Sequence, residues 1–163
     1  MTYGSEMTTY SEKDIEYMQL AIEASRQAVA AGDFPYGATL LATDGRVYVA
    51  RNNQVTTGDC TGHAEVALVR EVAQKLGPDA LVGATVYASG EPCAMCSGAM
   101  FWAGVSRIVF AMPTPVLNAV GGAPYILPRT AEVLAGASRA ISVEGPLLEE
   151  EATQVLREFV AKA

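Results

Sequence analysis

His63-Ala64-Glu65 and, further along, Pro92-Cys93-Ala94-Met95-Cys96 are the stretches on which the reading of this chain turns. They place an imidazole, two thiols and a carboxylate in two short segments, and His63 is the only histidine in 163 residues. One imidazole and two thiolates fill three corners of a tetrahedral zinc site and leave the fourth for water. Zinc lowers the pKa of a bound water to about 7, so hydroxide becomes available at neutral pH. Glu65, two residues past His63, can then carry protons between that water, a substrate and a leaving group. The 26 residues between Glu65 and Pro92 are enough for the rest of a helix, a loop and one strand. A lone C-x-x-C also occurs in redox motifs and zinc knuckles. The upstream H-A-E and the proline directly before Cys93 set this one apart. The competing reading is a reduced cysteine pair or a closed zinc site, whose fourth ligand would be Cys60 or a carboxylate.

Outward from the motif, Val66, Val69, Ala73 and Leu76 predict a helix with a buried face that starts near His63 and stops at Gly77-Pro78. Residues 84–88 read as a strand, followed by the loop Ser89-Gly90-Glu91-Pro92. The next helix opens at Cys93 and ends near Gly104. Its first turn sets both thiols near free N–H groups and the positive end of the helix dipole, which favours thiolate. Residues 107–111 form another strand. Residues 112–128 hold four prolines and the pair Gly121-Gly122, and read as a long irregular segment of the kind that carries specificity. A short helix over 131–135, a strand near 141–143 and an amphipathic helix marked by Leu148, Ala152, Val155 and Phe159 follow. Upstream, Ser11 is an N-cap with Asp14 at the capping-box position, and Ile15, Met18, Ile22 and Val29 recur at helical spacing to about Ala31. Gly32-Asp33 ends that helix. Strands over 38–42 and 46–52 flank the turn Thr43-Asp44-Gly45, and polar residues 53–62 make a loop. Residues 1–11 are polar and expected to be flexible. This order predicts an α/β fold, with a mixed five-stranded sheet and helices on both faces. One domain spans 1–163, with no repeat and no linker. The histidine and both cysteines would lie at the N-termini of two neighbouring helices, near the carboxyl ends of strands.

Apolar residues make up 50% of the chain and charged residues 18%, the composition of a globular protein. Three cysteines, two of them in the motif, are no disulfide framework and point to a reducing compartment. The first residues lack a basic segment followed by an apolar run, and no apolar stretch approaches the 18 or so residues of a membrane span. A cytoplasmic protein without a membrane partner is expected. The net charge of −7, with Lys13, Lys75 and Lys162 as the sole lysines, disfavours a large nucleic-acid footprint.

With those residues in place, the chain resembles the cytidine deaminase-like superfamily, zinc-dependent enzymes that carry H-x-E…P-C-x-x-C. The resemblance runs from about residue 15 to 160 and points to the branch of guanine deaminases, fungal-type cytosine deaminases and bacterial tRNA adenosine deaminases. It implies a three-layer α/β/α sandwich and a homodimer with pockets near the subunit interface. It also implies one Zn2+ per chain on His63, Cys93 and Cys96, with Glu65 as proton shuttle. The P-x-G-A segment Pro35-Tyr36-Gly37-Ala38 implies that Tyr36 lies against the base. Asn52, eleven positions before His63, is implied to bond the substrate, although beside Asn53 it also reads as a turn residue. Backbone N–H groups near Ala64 and Cys93 are expected to orient the ring. Trp102, within Gly98-Ala99-Met100-Phe101-Trp102-Ala103, resembles a tryptophan that walls the base pocket of guanine deaminases, and reads equally as a core aromatic. Phe34, Phe101 and Tyr125 are weaker candidates for that wall and are expected to be packing residues; Cys60, in Asp59-Cys60-Thr61-Gly62, reads as near the pocket or, preferably, as a small buried residue.

Two departures bear on the substrate. Residues 112–143 contain no aspartate, where guanine deaminases typically use one; Glu132 is the sole carboxylate there. The tail Gly145-Pro146-Leu147-Leu148-Glu149-Glu150-Glu151-Ala152 resembles that of tRNA deaminases but lacks their basic extension. The resemblance therefore implies hydrolytic release of ammonia from a free nucleobase or related amino-heterocycle of guanine, cytosine, isocytosine or amino-triazine type. The alternative is a tRNA-specific adenosine deaminase, converting adenosine to inosine, which the net charge disfavours. A non-catalytic zinc-stabilised binding protein is the third reading, against which the intact Glu65 argues.

Overall fold

Local sequence chemistry opens the first helix as expected. In this computed structural model, which describes residues 8–163, α1 (Glu12–Ala30) begins with a closed capping box. Ser11 Oγ accepts the Asp14 N–H (3.1 Å) and the Asp14 carboxylate accepts the Ser11 N–H (2.9 Å). Of the terminal stretch expected to be flexible, residues 1–7 lie outside the described residues. The chain continues through β1 (Gly37–Leu41), β2 (Val47–Arg51), α2 (Gln54–Thr57), α3 (Ala64–Lys75) and a 3-10 turn (Pro78–Leu81). Then follow β3 (Thr85–Gly90), α4 (Ala94–Ala103), β4 (Arg107–Met112), α5 (Thr114–Gly121), α6 (Thr130–Leu134), β5 (Ser142–Glu144) and α7 (Glu149–Ala161). Among the described residues no helix is long and apolar enough to cross a membrane.

The strands form one mixed five-stranded sheet in the order β2-β1-β3-β4-β5. β1 is antiparallel to both its neighbours, and β3, β4 and β5 run parallel. Side chains alternate across it with period two. Val86 and Ile108 pack on one face beneath α3 and α4, while Tyr87 and Val109 pack on the other beneath α1 and α7. Leu40, Leu68, Met18 and Ile22 are fully buried between these layers, each contributing about 1.5–3 kcal/mol of transfer free energy. Gly37 sets the spacing of one layer: a Cβ there would overlap the Ala21 carbonyl and the Ala24 methyl, so only glycine lets α1 lie this close on β1.

Three expectations change. The buried face of α3 is Ala64, Ala67, Leu68 and Val72, and Val66, Val69, Ala73 and Leu76 pack at its margin. The stripe is displaced because two alanines let the helix start press directly on the sheet. The 53–62 loop contains α2, and the irregular segment 112–128 contains α5. Pro113 and Pro115 occupy the cap and second position of α5, where the missing N–H groups are no loss, and Gly122 ends it at φ +62°. Residues read as helix breakers thus bracket a helix.

Arg107 on β4 donates to Asp14 (2.7 Å) and to Glu144 (2.7 and 3.0 Å), and the Tyr87 hydroxyl also donates to Asp14 (2.7 Å). This network ties α1, β3, β4 and β5 together. Because β2 and β3 point the same way and β1 runs against them, three segments meet at one sheet edge: Tyr36 before β1, Asn52 after β2, and the loop after β3.

Candidate active site

His63 is the N-cap residue of α3 and Cys93 the N-cap residue of α4, yet neither side chain caps its helix. Both turn instead to each other and to Cys96, in the first turn of α4. His63 Nδ1 lies 3.5 Å from each sulfur, and the sulfurs are 3.6 Å apart. A tetrahedral zinc with Zn–S near 2.3 Å and Zn–N near 2.0 Å has edges of about 3.7 Å between sulfurs and about 3.5 Å from sulfur to nitrogen. The three donor atoms therefore form one face of such a tetrahedron. Hydrogen bonds from the Cys96 thiol and from His63 bring Cys93 down to about 4, although burial opposes them. The same bond to Cys93, with burial, pushes the Cys96 thiol far up. Two thiols this close do not both ionise by themselves, and a cation among the three donors is what would ionise both. The donor set fits zinc.

Glu65, in the first turn of α3, is 6% exposed and lines the cavity beside His63 and Cys93. Burial, then the charge of Cys93, raises its pKa above the ordinary carboxylate range. A raised pKa makes a carboxylate a stronger proton acceptor. Asn52 is 1% exposed and lines the same cavity. Its Nδ2 donates to Gln54 Oε1 (2.8 Å), its Oδ1 accepts the Gln54 N–H (3.1 Å), and Gln54 Nε2 donates to the Cys60 carbonyl (3.2 Å). Those bonds fix the amide orientation and leave one N–H and one lone pair for a ligand. Asp33 holds this turn from below, accepting from the Val55 and Thr56 N–H groups (both 2.9 Å) and the Thr56 hydroxyl (2.8 Å). Tyr36 forms a wall, its hydroxyl pushed up to about 12 by burial and by Glu65.

The cavity measures about 450 Å3. Its far walls are the α5 residues Leu117 and Asn118, the α7 residues Phe159 and Val160, and the segment carrying Tyr125 and Ile126. Gly90 keeps the near wall open, since a Cβ there would stand 3.2 Å from both Leu117 and Tyr36. Glu91, its side chain 2% exposed, ties that wall to the cysteine loop by accepting the Thr114 N–H (2.7 Å) and the Arg129 guanidinium (2.9 Å). The Thr130 hydroxyl adds a bond to the Pro92 carbonyl (2.7 Å).

The structure gathers His63, Glu65, Cys93, Cys96, Asn52 and Tyr36 at one place. Ala64 is completely buried behind them and does not line the cavity. Trp102 is brought to neither expected position: it is 84% exposed, outside the cavity lining, with its ring edge-on to Phe101 at 5.1 Å. Cys60 is exposed rather than buried. Phe34 and Tyr125, expected to pack, line the cavity and remain 38% and 59% exposed. The sequence reading missed Glu91, Gln54 and Asn118. A carboxylate between Gly90 and Pro92, flanking the cysteine motif, was the available signal for the first.

Comparison with known proteins agrees with this site. Residues 11–112 match the cytidine and deoxycytidylate deaminase zinc-binding region. A probable cytosine deaminase of Schizosaccharomyces pombe is 38% identical over 149 residues, covering 89% of this chain and 91% of that one. A tRNA-specific adenosine deaminase of Agrobacterium fabrum is 33% identical over 145 residues, covering 88% and 91%. The structure of a guanine deaminase from Nitrosomonas europaea superposes with a TM-score of 0.75 at 26% identity, covering 94% of this chain and 87% of that one. The chain belongs to the zinc-binding cytidine and deoxycytidylate deaminase family and is a hydrolytic deaminase.

Proposed function

We propose that this deaminase acts on a free nucleobase or a related amino-heterocycle, with His63, Cys93 and Cys96 holding one zinc ion and Glu65 moving the protons. The observation that carries the reading is the cavity. It is small, its outer walls are mostly apolar and uncharged, and among the described residues none that lines it is Lys or Arg. A nucleic-acid substrate calls for clustered cationic contacts to phosphate, and the net charge is −7. The activities named for the relatives from Schizosaccharomyces pombe and Nitrosomonas europaea, on cytosine and guanine, fall in the same substrate class.

When bound, zinc supplies a Lewis acid that makes water nucleophilic at neutral pH. The chain does the rest. Tyr36 and Leu117 confine the ring, and the free half of the Asn52 amide orients it. The buried Glu65 carboxylate takes one proton of the attacking water and gives it to a ring nitrogen; it then takes the second proton from the hydroxyl added to the ring carbon and delivers it to the amine, and as the carbonyl forms the C–N bond breaks and ammonia leaves. Exclusion of water by the apolar walls strengthens each of these electrostatic contacts.

The relative from Agrobacterium fabrum favours a second reading, in which the substrate is a tRNA adenosine. Ammonia release separates the two. The panel comprises cytosine, guanine, isocytosine, adenine, amino-triazines and a tRNA anticodon stem-loop. Turnover of one or more free bases is expected. Turnover of the stem-loop alone would overturn the proposal in favour of tRNA. We also propose a homodimer whose contact includes the exposed apolar side chains of Met95 and Trp102 on α4 and nearby Val82. Sedimentation should show a dimer that Trp102→Glu weakens; a wild-type monomer at micromolar concentration would refute it.

A further inference from the structure

Several polar groups on the cavity wall are engaged: Asn52 is paired with Gln54, Gln54 with the Cys60 carbonyl, and Glu91 with the Thr114 N–H and Arg129. The hydroxyls of Tyr36, Thr114 and Tyr125 and the carboxamide of Asn118 are not, among the described residues. Of these, Asn118 is the sole carboxamide. Its main-chain carbonyl accepts the Gly122 N–H (3.1 Å), but its carboxamide has no hydrogen-bond partner among the described residues. Thr114, Leu117, Asn118 and Gly121 all line the cavity, the i, i+3, i+4, i+7 spacing of one helix face. The opposite face of α5, with Val116 and Val120, packs in the apolar layer with α7.

The position of that carboxamide is fixed relative to the chemistry. Glu91, two residues before Cys93, holds the α5 N-terminus through the Thr114 N–H. Asn118 stands one turn further on, about 5.4 Å along the axis. Its neighbour Leu117 converges with Tyr36 over Gly90. Asn118 thus lines the cavity from α5, whereas His63, Glu65 and Cys93 line it from the starts of α3 and α4.

We propose that Asn118 is a specificity-determining residue that reads the ring edge remote from the reacting amine, and that this edge is a lactam: an adjacent ring N–H and C=O. The proposal rests on the free-base reading of the cavity and narrows it. A carboxamide offers one acceptor oxygen and an NH2 donor side by side, so it pairs with a neighbouring N–H and carbonyl. A carboxylate only accepts and would face the carbonyl oxygen with like charge. Cytosine carries such an edge opposite its amine carbon. Guanine carries its lactam next to the reacting carbon instead, and presents imidazole at the far side. A substituent on the ring nitrogen removes the N–H and occupies the space of Asn118, so N1-substituted pyrimidines are poor substrates.

The test is kcat/KM for cytosine and 1-methylcytosine with the zinc-loaded wild type, Asn118→Leu and Asn118→Asp. Zinc content and thermal stability serve as controls. Wild type is expected to prefer cytosine at least about 10-fold, the worth of one lost hydrogen bond in a desolvated site. Asn118→Leu should lower kcat/KM for cytosine about 10-fold, mainly through KM, and bring the preference towards unity. The near-isosteric Asn118→Asp, which keeps the packing, should also weaken cytosine. Folded variants that keep the wild-type rate and preference would overturn the role of Asn118 while leaving the free-base reading intact. A wild type that deaminates no free ring would overturn both.

Discussion

Asn52 shows how one side chain is oriented before any ligand arrives. Two hydrogen bonds to Gln54 set which end of its amide is oxygen and which is nitrogen, so the half left free on the cavity wall, proposed to meet the substrate, is already oriented. Gln54→Ala should therefore raise KM about 10-fold and change kcat less, with zinc content unchanged, since one such bond contributes about 1 kcal/mol and the amide becomes free to turn. Steady-state kinetics checks this, and an unchanged KM would show that Gln54 is only a packing residue. The zinc ligands and Glu65 were legible in the sequence because rare, chemically specialised residue types recur there at a spacing two helix starts can satisfy. Trp102 was not. It lies two residues beyond the buried Met100, about 200° round α4, and therefore on the opposite face, a relation that motif matching ignores.

Among the elements, α5 is the least legible and bears most on the cavity. Its prolines and glycines mark its two ends, and a composition-based reading takes them for a loop. What fixes it in place is also non-local: Glu91 reaches 23 residues ahead to the Thr114 N–H and 38 ahead to Arg129. Glu91→Ala removes the partner of a helix-end N–H and of a guanidinium, at a cost of about 1–3 kcal/mol. The zinc-loaded variant should unfold at lower urea and show a raised KM, with Glu91→Gln recovering part of both. Normal KM in Glu91→Ala would show that the α5 wall holds its position without this tie. The short α2 was hidden for a similar reason, since Asp33, distant in sequence, supplies the acceptor for its first N–H groups.

At the scale of the molecule, the order of helices and strands was readable because each apolar period, 3.6 or 2, is interrupted by glycine or proline at its boundary. The mixed five-stranded sheet followed from that order. The network that joins its parts did not follow, because Asp14, Tyr87, Arg107 and Glu144 are scattered through the sequence. Burial would raise the pKa of Asp14, but hydrogen bonds from Arg107, Ser11 and Tyr87 outweigh it and hold the carboxyl well below the ordinary range. Its contribution is therefore complete above the unfolded value of about 4 and is lost only as pH falls through the lower folded value. Arg107→Met leaves Asp14 without its cation and should cost on the order of 3 kcal/mol at pH 7. The further loss of stability on acidification below about pH 4 should then be smaller than in wild type, because the folded Asp14 no longer titrates so far below the unfolded one, as urea titrations from pH 7 to pH 3 would show. Equal acid profiles would mean that the other donors to Asp14 suffice. The central claim is that ring deamination depends on the Glu65 carboxylate beside a zinc site made by His63, Cys93 and Cys96. The measurement that tests it most directly is ammonia release from the free-base panel by zinc-loaded wild type and Glu65→Gln, with zinc counted in both. The expected result is one zinc per chain in each protein and a rate at least about 100-fold lower in the variant. A zinc-replete Glu65→Gln protein that turns over at the wild-type rate would contradict it.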